Sequence, residues 1–558
     1  MKKILLLFIL VGSVFFYSCS KETDSNTSSS KKGSALLDIE RPVFKKDTFN
    51  IKDYGAVGDG VTLNTKNINK AIKECSQSGG GVVLVPQGFW LTGPVELQSN
   101  VNLFIKRDAI LQFTTDFDEY PLVETNYEGL KAVRNQSPIS GKNLENIAIT
   151  GKGVIDGAGE AWRMVKKSKQ TASQWKKLVS SGGVVGPEGK IWYPTEKSLR
   201  GSQTKDPGVL KEGKTVEDFK DIKDYLRPNM VSLFHCKKVL LEGVTFQNSP
   251  AWCIHPFMCE DLTVSGIFAK NPWYGQNGDG IDVESCKNVL IENSIFDVGD
   301  DGICMKSGRN EEGRKRGAPT ENVIVNNCKV YHAHGGFVVG SEMSGGVKNV
   351  YVTNCSFLGT DIGLRFKTTR GRGGVVENIH ISHINMRNIT GDAIRFDMYY
   401  GAKDPVPLAG EKRTKPKRKL VPVTEETPQF RAFYISHVYC NGANYGIFMR
   451  GLPEMSIKQI HLDSMVLKTK KGMQAIDADS IYLNHVQLLT SDQTSVISLI
   501  NSKNMIFNQV MTDSIIQDYM DINGQYSKNI TIKNAPFSNI KSKINLSKLV
   551  SSKTLKIE

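Results

Sequence analysis

A short β-rich phrase returns along this chain at intervals too small for each copy to be a domain. Copies begin at Val239, Leu262, Val289, Val323, Val350 and Ile379, spaced 23, 27, 34, 27 and 29 residues apart. Each alternates apolar with polar residues and carries Asn or Gly near its middle, where the chain must turn. A unit this short cannot bury its own apolar face, so neighbouring units must stack. Stacked strand-only units make an all-β fold, a right-handed parallel β-helix. Weaker copies at Val101, Ile147, Phe433, Ile460, Ile481 and Ile530 extend the pattern, so residues 48–558 read as one β-helix domain. Ile68, Ala71, Ile72 and Cys75 share one face at helical spacing, which predicts a short N-terminal capping helix over the open end of the solenoid.

The N-terminus reads differently. Residues 1–18 hold Lys2 and Lys3, then an apolar run too short to span a bilayer, as in an export signal. Ser18 followed by Cys19 resembles the bacterial lipoprotein cleavage site, with Cys19 lipidated. Residues 19–47 would then be a flexible tether, anchoring an exported protein to the outer membrane or cell surface through the lipid alone. A periplasmic or secreted protein is the alternative. Cys236, Cys259 and Cys286 each precede an apolar run by three residues, with Cys328 and Cys355 in a matching place. That recurrence predicts stacked, buried thiols rather than a metal site, for which no C-x-x-C spacing exists.

Two stretches break the repeat, at about 160–224 and 402–430. Residues 160–224 hold 14 Lys+Arg against 9 Asp+Glu, and residues 402–420 hold 7 against 2, so these loops supply most of the net charge of +14. Positive loops on a solenoid attract polyanions. For an exported protein the expected partner is an acidic polysaccharide, not nucleic acid.

Polar residues gather on successive coils between 277 and 367. Asp300 and Asp301 lie between Gly299 and Gly302. Neighbouring side chains of a regular strand point to opposite faces, so one aspartate would enter the core at high cost unless the glycines relax the backbone and turn both outward. Asp279 lies 21 residues earlier, one coil back, at a stacking distance of about 4.8 Å. Three carboxylates that close force their pKa values apart, which lets one hold a proton while another acts as base. Arg365 and Lys367, at i and i+2, point the same way and suit a sugar carboxylate. A Gly-Asp-Asp-Gly alone also suits a turn or a calcium loop. The coincidence of four motifs on one wall favours glycoside hydrolysis.

Those motifs, Asn277-Gly278-Asp279, Asp300-Asp301, Ala333-His334-Gly335 and Arg365-Phe366-Lys367, resemble in order and spacing the polygalacturonases, the pectin-cleaving family 28 of glycoside hydrolases. Residues 49–60 and 79–86 are similar to the family's N-terminal cap. The resemblance implies that Asp300 is the general acid, that Asp279 and Asp301 activate water, and that His334 tunes the acid. It implies that Arg365 and Lys367 bind the galacturonate carboxylate, with Asn277 beside them, and that no cofactor or metal is needed. Attack by water inverts the anomeric centre and calls for carboxylates about 6.5–9.5 Å apart. Gly278 stands where the family more often has Thr, and Ala333 where it has Gly. The insertions look like those of members that trim sugars from a chain end, so exo action is expected over endo. Tyr399 or Tyr400 could stack on a sugar ring, and Tyr400 is the candidate. The alternatives are a calcium-dependent pectate lyase and a non-catalytic glycan-binding β-helix.

Overall fold

The computed structural model describes residues 39–403, 406–407, 415–492, 495–513 and 516–558. The candidate export signal and Cys19 lie outside these. Parallel strands of successive coils pair into two long sheets, of 24 and 14 strands among the described residues, as the right-handed parallel β-helix requires. The starts of the repeated phrase stack in register: Val239 on Leu262, Val289, Val323, Val350, Ile379 and Phe433, all buried. The polar positions beside them form ladders. Asn322, Asn349 and Asn378 each hold positive φ and donate a side-chain hydrogen bond to the asparagine one coil back, at 3.1, 3.1 and 2.6 Å. Asparagine tolerates that backbone region because its short amide bonds locally, and stacking converts the turn requirement into a hydrogen-bonded spine.

The helix Thr65–Gln77 buries Ile68, Ala71, Ile72 and Cys75 against the first coils. Among the described residues nine cysteines are unpaired and buried, and Cys259 N–H donates to Cys286 Sγ at 3.3 Å, within the stack that the spacing predicted. Residues 39–47, counted with the flexible tether above, instead run along the solenoid. Lys238 Nζ pairs with Glu40 at 2.9 Å, Arg41 pairs with Glu292 at 3.5 Å, and Val82 N–H donates to the Asp47 carbonyl. Among the described residues no helix is long and apolar enough to cross a membrane.

Of the two insertions, residues 160–224 fold into helices Ala172–Ser180 and Glu196–Gln203, a three-stranded antiparallel sheet and a 3-10 segment Val216–Tyr225. A hairpin of strands Leu122–Tyr127 and Leu130–Asn135, which the repeat pattern does not announce, packs Val133 with Phe219, Ile222 and Leu226 in one small core. The basic run of the second insertion is described from Lys415 onward, where Arg418 is committed to Asp477 at 3.0 Å.

Candidate active site

The strands of the 14-stranded sheet alternate strictly over the middle coils. Ile281, Ile303, Phe337 and Leu364 point into the core in register, while Asp282, Cys304, Val338 and Arg365 occupy the next row outward. Each coil enters this sheet through a glycine, and the reason is room rather than backbone freedom. A Cβ on Gly280 would meet Phe296 at 2.6 Å, on Gly302 Val330 at 2.5 Å, on Gly336 Phe357 at 2.4 Å, and on Gly363 Met386 at 2.4 Å. Gly302 and Ile303 therefore both press inward, and Asp301 is left on the outer side. The two adjacent aspartates thus share one face, as expected, but through a crowded corner rather than a relaxed one.

These corners gather the predicted residues into a cleft of 770 Å³. One carboxylate oxygen each of Asp279, Asp300 and Asp301 lies within 4.8 Å of the others. This is closer than the 6.5–9.5 Å expected for an inverting pair. Asp301 is clamped: Arg365 donates to Oδ1 at 2.9 Å and Lys367 to Oδ2 at 2.6 Å. Asp300 Oδ1 lies 3.1 Å from His334 Nδ1 and accepts the Asp301 N–H at 3.0 Å, while Oδ2 accepts the Asn277 N–H at 3.3 Å. Asp279 Oδ1 is buried without a hydrogen-bond partner. Asp300 is the most open to the cleft, its side chain 19% exposed against 1% for Asp301, with Asp279 3% exposed overall.

Electrostatics rank the three. Burial, then the neighbouring Asp282 and Asp300 charges, push the Asp279 pKa well above the carboxylate range. Burial works against charge on Asp300 too, but His334 chiefly, then Lys367 and Arg365, outweigh it and hold its pKa down. Asp301 is lowered in the same sense, burial being outweighed by Lys367 and Arg365. Burial also disfavours charge on His334, yet Asp300 outweighs it and raises the imidazole's pKa. The electrostatics therefore favour a proton on Asp279 over one on Asp300, the acid that the resemblance implies.

The other predicted residues sort clearly. Tyr400 lines the cleft with its ring 4.9 Å from Lys367 Nζ, whereas Tyr399 lies outside it, between Arg370 and Arg450. Asn277 lines the cleft, but its side-chain oxygen already accepts from Arg227 at 2.9 Å, so it holds the Asp300 loop in place. The Gly278 position has no room for a larger residue, since a Cβ there would come within 2.9 Å of the Gly275 carbonyl. Sequence reasoning missed Lys306, which lies at the cleft floor 4.7 Å over Trp252 and pairs with Asp282 at 3.4 Å and Glu342 at 3.2 Å. Its one signal was a lone cation ending an apolar strand. Asp361, 3.7 Å from His334 Nε2, had none.

The carboxylate trio is the one cluster among the described residues that could hold a metal ion. Its donor chemistry fits calcium poorly. Calcium takes six to eight oxygens, and here both oxygens of Asp301 are already matched by cations.

The hairpin tip forms part of the cleft wall through Glu128. Tyr127 stacks on Trp252 at 5.1 Å, Glu128 pairs with Arg309 at 3.4 Å, and Arg309 N–H donates to the Gly129 carbonyl. Beyond it lies a separate groove of 750 Å³ over Phe234 and Phe257. The first insertion contributes Met164, Lys166 and Tyr225 to the cleft wall, and residues 400–403 form another part of it.

A solenoid whose catalytic face concentrates three aspartates against a histidine and two cations is the architecture of a carbohydrate-cleaving β-helix, and known proteins agree. A family model described as glycosyl hydrolases family 28 matches residues 206–414, and one described as rhamnogalacturonase A/epimerase, pectate lyase-like, matches residues 48–180. A probable polygalacturonase from Vitis vinifera is 30% identical over 393 residues, covering 68% of this chain and 68% of its own. An exo-poly-alpha-D-galacturonosidase from Dickeya chrysanthemi is 29% identical over 365 residues, 63% of this chain and 57% of its own. The crystal structure of a hyperthermoactive exopolygalacturonase from Thermotoga maritima matches with a TM-score of 0.65 at 31% identity, covering 82% of this chain and 95% of that one. The chain belongs to glycosyl hydrolases family 28, and it is a glycoside hydrolase.

Proposed function

We propose that the protein removes α-linked galacturonic acid from the ends of pectic chains, by direct displacement with water. The observation that carries this reading is the placing of three carboxylates beside the Arg365–Lys367 pair in one cleft. The cations suit a uronate carboxylate, and the hairpin tip and the two insertions that add walls to the cleft favour exo action. The named activities of the Vitis, Dickeya and Thermotoga relatives point the same way.

Three carboxylates within 4.8 Å titrate as a set. A substrate carboxylate against Arg365 and Lys367 weakens the cation field that keeps Asp300 ionised. Asp300 then takes up the proton held by Asp279, protonates the leaving oxygen and breaks the glycosidic bond. Asp279, now ionised, and Asp301 accept the proton of the attacking water. The short separation is that of nucleophilic pairs, but Asp301 has both oxygens bound by cations and is not a free nucleophile, which favours water attack and inversion.

Digestion of polygalacturonate, followed by NMR of the first product, tests all of this. The expected product is a monosaccharide from the outset, released as the inverted anomer, with no loss of rate after dialysis against chelator. An unsaturated product, or activity lost to chelator, would mean a lyase instead. Export and lipidation at Cys19 belong to the same reading and predict labelling by fatty acid that Cys19→Ala abolishes.

A further inference from the structure

The cleft does not account for Trp273, which is 52% exposed. A half-exposed tryptophan on a loop beside the cleft offers a large, rigid apolar face to whatever passes over it. The loop is held firmly: Gly275 N–H donates to the Pro272 carbonyl, Gly278 N–H to the Gly275 carbonyl, and the buried Arg163 lies against Gly275 while donating to Ser249 O and Asn248 Oδ1.

Two chain segments leave the cleft side by side. On one, Gln276 lines the cleft and Trp273 stands three residues away. On the other, Lys166 lines the cleft and Lys169 stands three residues away. Outside the cleft these segments meet again, with Lys169 Nζ 5.4 Å over the Trp273 ring and Tyr274 edge-on at 6.0 Å. Lys169 belongs to the insertion that carries much of the positive charge, so the platform is an aromatic ring with a cation over one of its faces. An aromatic face takes the apolar C–H face of a sugar ring, and an ammonium beside it takes a carboxylate.

We infer that Trp273 and Lys169 form a further binding subsite, outside the catalytic cleft, for a uronic acid residue of a polyuronate chain whose end is in the cleft. This rests on the galacturonan reading above and adds a place where the length of the chain is felt.

The test uses the full chain carrying Asp300→Asn, with binding of galacturonate oligosaccharides of increasing length measured by calorimetry. Adding Trp273→Ala is expected to weaken binding of the longer oligomers about tenfold and to flatten the gain of affinity with length. Trp273→Phe keeps the aromatic face and retains most of that gain. Lys169→Ala weakens binding of the free acid oligomers more than that of their methyl esters. Trp273→Ala binding every length as tightly as its parent overturns the subsite while leaving the galacturonan reading in place. A parent that binds no galacturonate oligomer of any length overturns that reading, and the subsite with it.

Discussion

His334 Nδ1 lies 3.1 Å from Asp300 Oδ1, and the His334 backbone N–H donates to the carbonyl of the same Asp300 at 2.9 Å. The two residues are thus fixed to each other twice, across one coil of the solenoid, and Asp361 stands 3.7 Å from the other ring nitrogen. The raised pKa of His334 keeps it cationic beyond the usual histidine value of about 6.5. Lost catalysis on the alkaline side should follow deprotonation of His334. A pH profile of kcat/KM should therefore show an alkaline limb above that value, and His334→Gln should remove this limb and lower the plateau about 100-fold. An alkaline limb unmoved in the variant would disconnect His334 from the acid.

Asp300→Asn keeps the shape of the side chain and its place among the N–H donors, but can neither take up nor give a proton. Turnover of polygalacturonate should drop about a thousandfold, with oligosaccharide affinity largely kept. Calorimetry and product assay on the same sample check both, and substantial residual turnover would move the acid role to another carboxylate.

Lys367→Met leaves Asp301 buried with Arg365 alone. Removing one partner of a buried ion pair costs about 3 kcal/mol, so the variant should melt lower as well as lose activity. Asp301→Asn added to Lys367→Met leaves the buried Arg365 without its carboxylate partner, so the double variant should lose further stability and recover no activity. Denaturant melts and rates on the pair of variants separate the structural share of this contact from the catalytic one.

Burial, only partly offset by Lys306, pushes the Asp282 pKa to about 8. The unfolded carboxyl titrates near 3.9, so the folded state holds a proton that the unfolded state has lost between those values. The resulting stability is fully present below about pH 4 and is lost as pH rises toward 8, at about 1.4 kcal/mol per pH unit. Asp282→Asn is neutral throughout. Its stability relative to the parent should therefore climb from pH 5 to 8 and level off above, as urea melts across that range would read. A constant difference would mean that Asp282 is ionised in the fold.

Gly302→Ala places a methyl 2.5 Å from Val330 Cγ1 in the core. The fold must shift at the corner that sets Asp301, so a stability loss of about 1–3 kcal/mol should be accompanied by a larger loss of kcat than of substrate affinity. A variant with normal kcat would show that the corner tolerates more than its packing suggests.

The repeat was legible because a solenoid writes its register into local sequence. Val239, Leu262 and Val289 fall one below another since each lies at the same point of a coil, and the strands that bring Asp301 beside Gly335 and Val338 beside Arg365 inherit that stacking. The hairpin Leu122–Asn135 was not legible. It belongs to no coil, and its contact with Arg309 joins residues about 180 apart, which no local pattern encodes. Lys306 and Asp361 were missed for a related reason: a lone charge on a strand has no meaning until the neighbouring coils show what it faces.

Local spacing, then, was enough to determine the coil, its outward wall and the side chains on it, because a strand's alternation and a coil's length are properties of short segments. How the carboxylates rank and what walls the cleft were decided only by the tertiary structure. Fields and walls are sums over atoms from distant parts of the chain: the Asp301 pKa is lowered by cations 64 and 66 residues away, and the cleft wall includes Glu128 from a hairpin on an earlier coil.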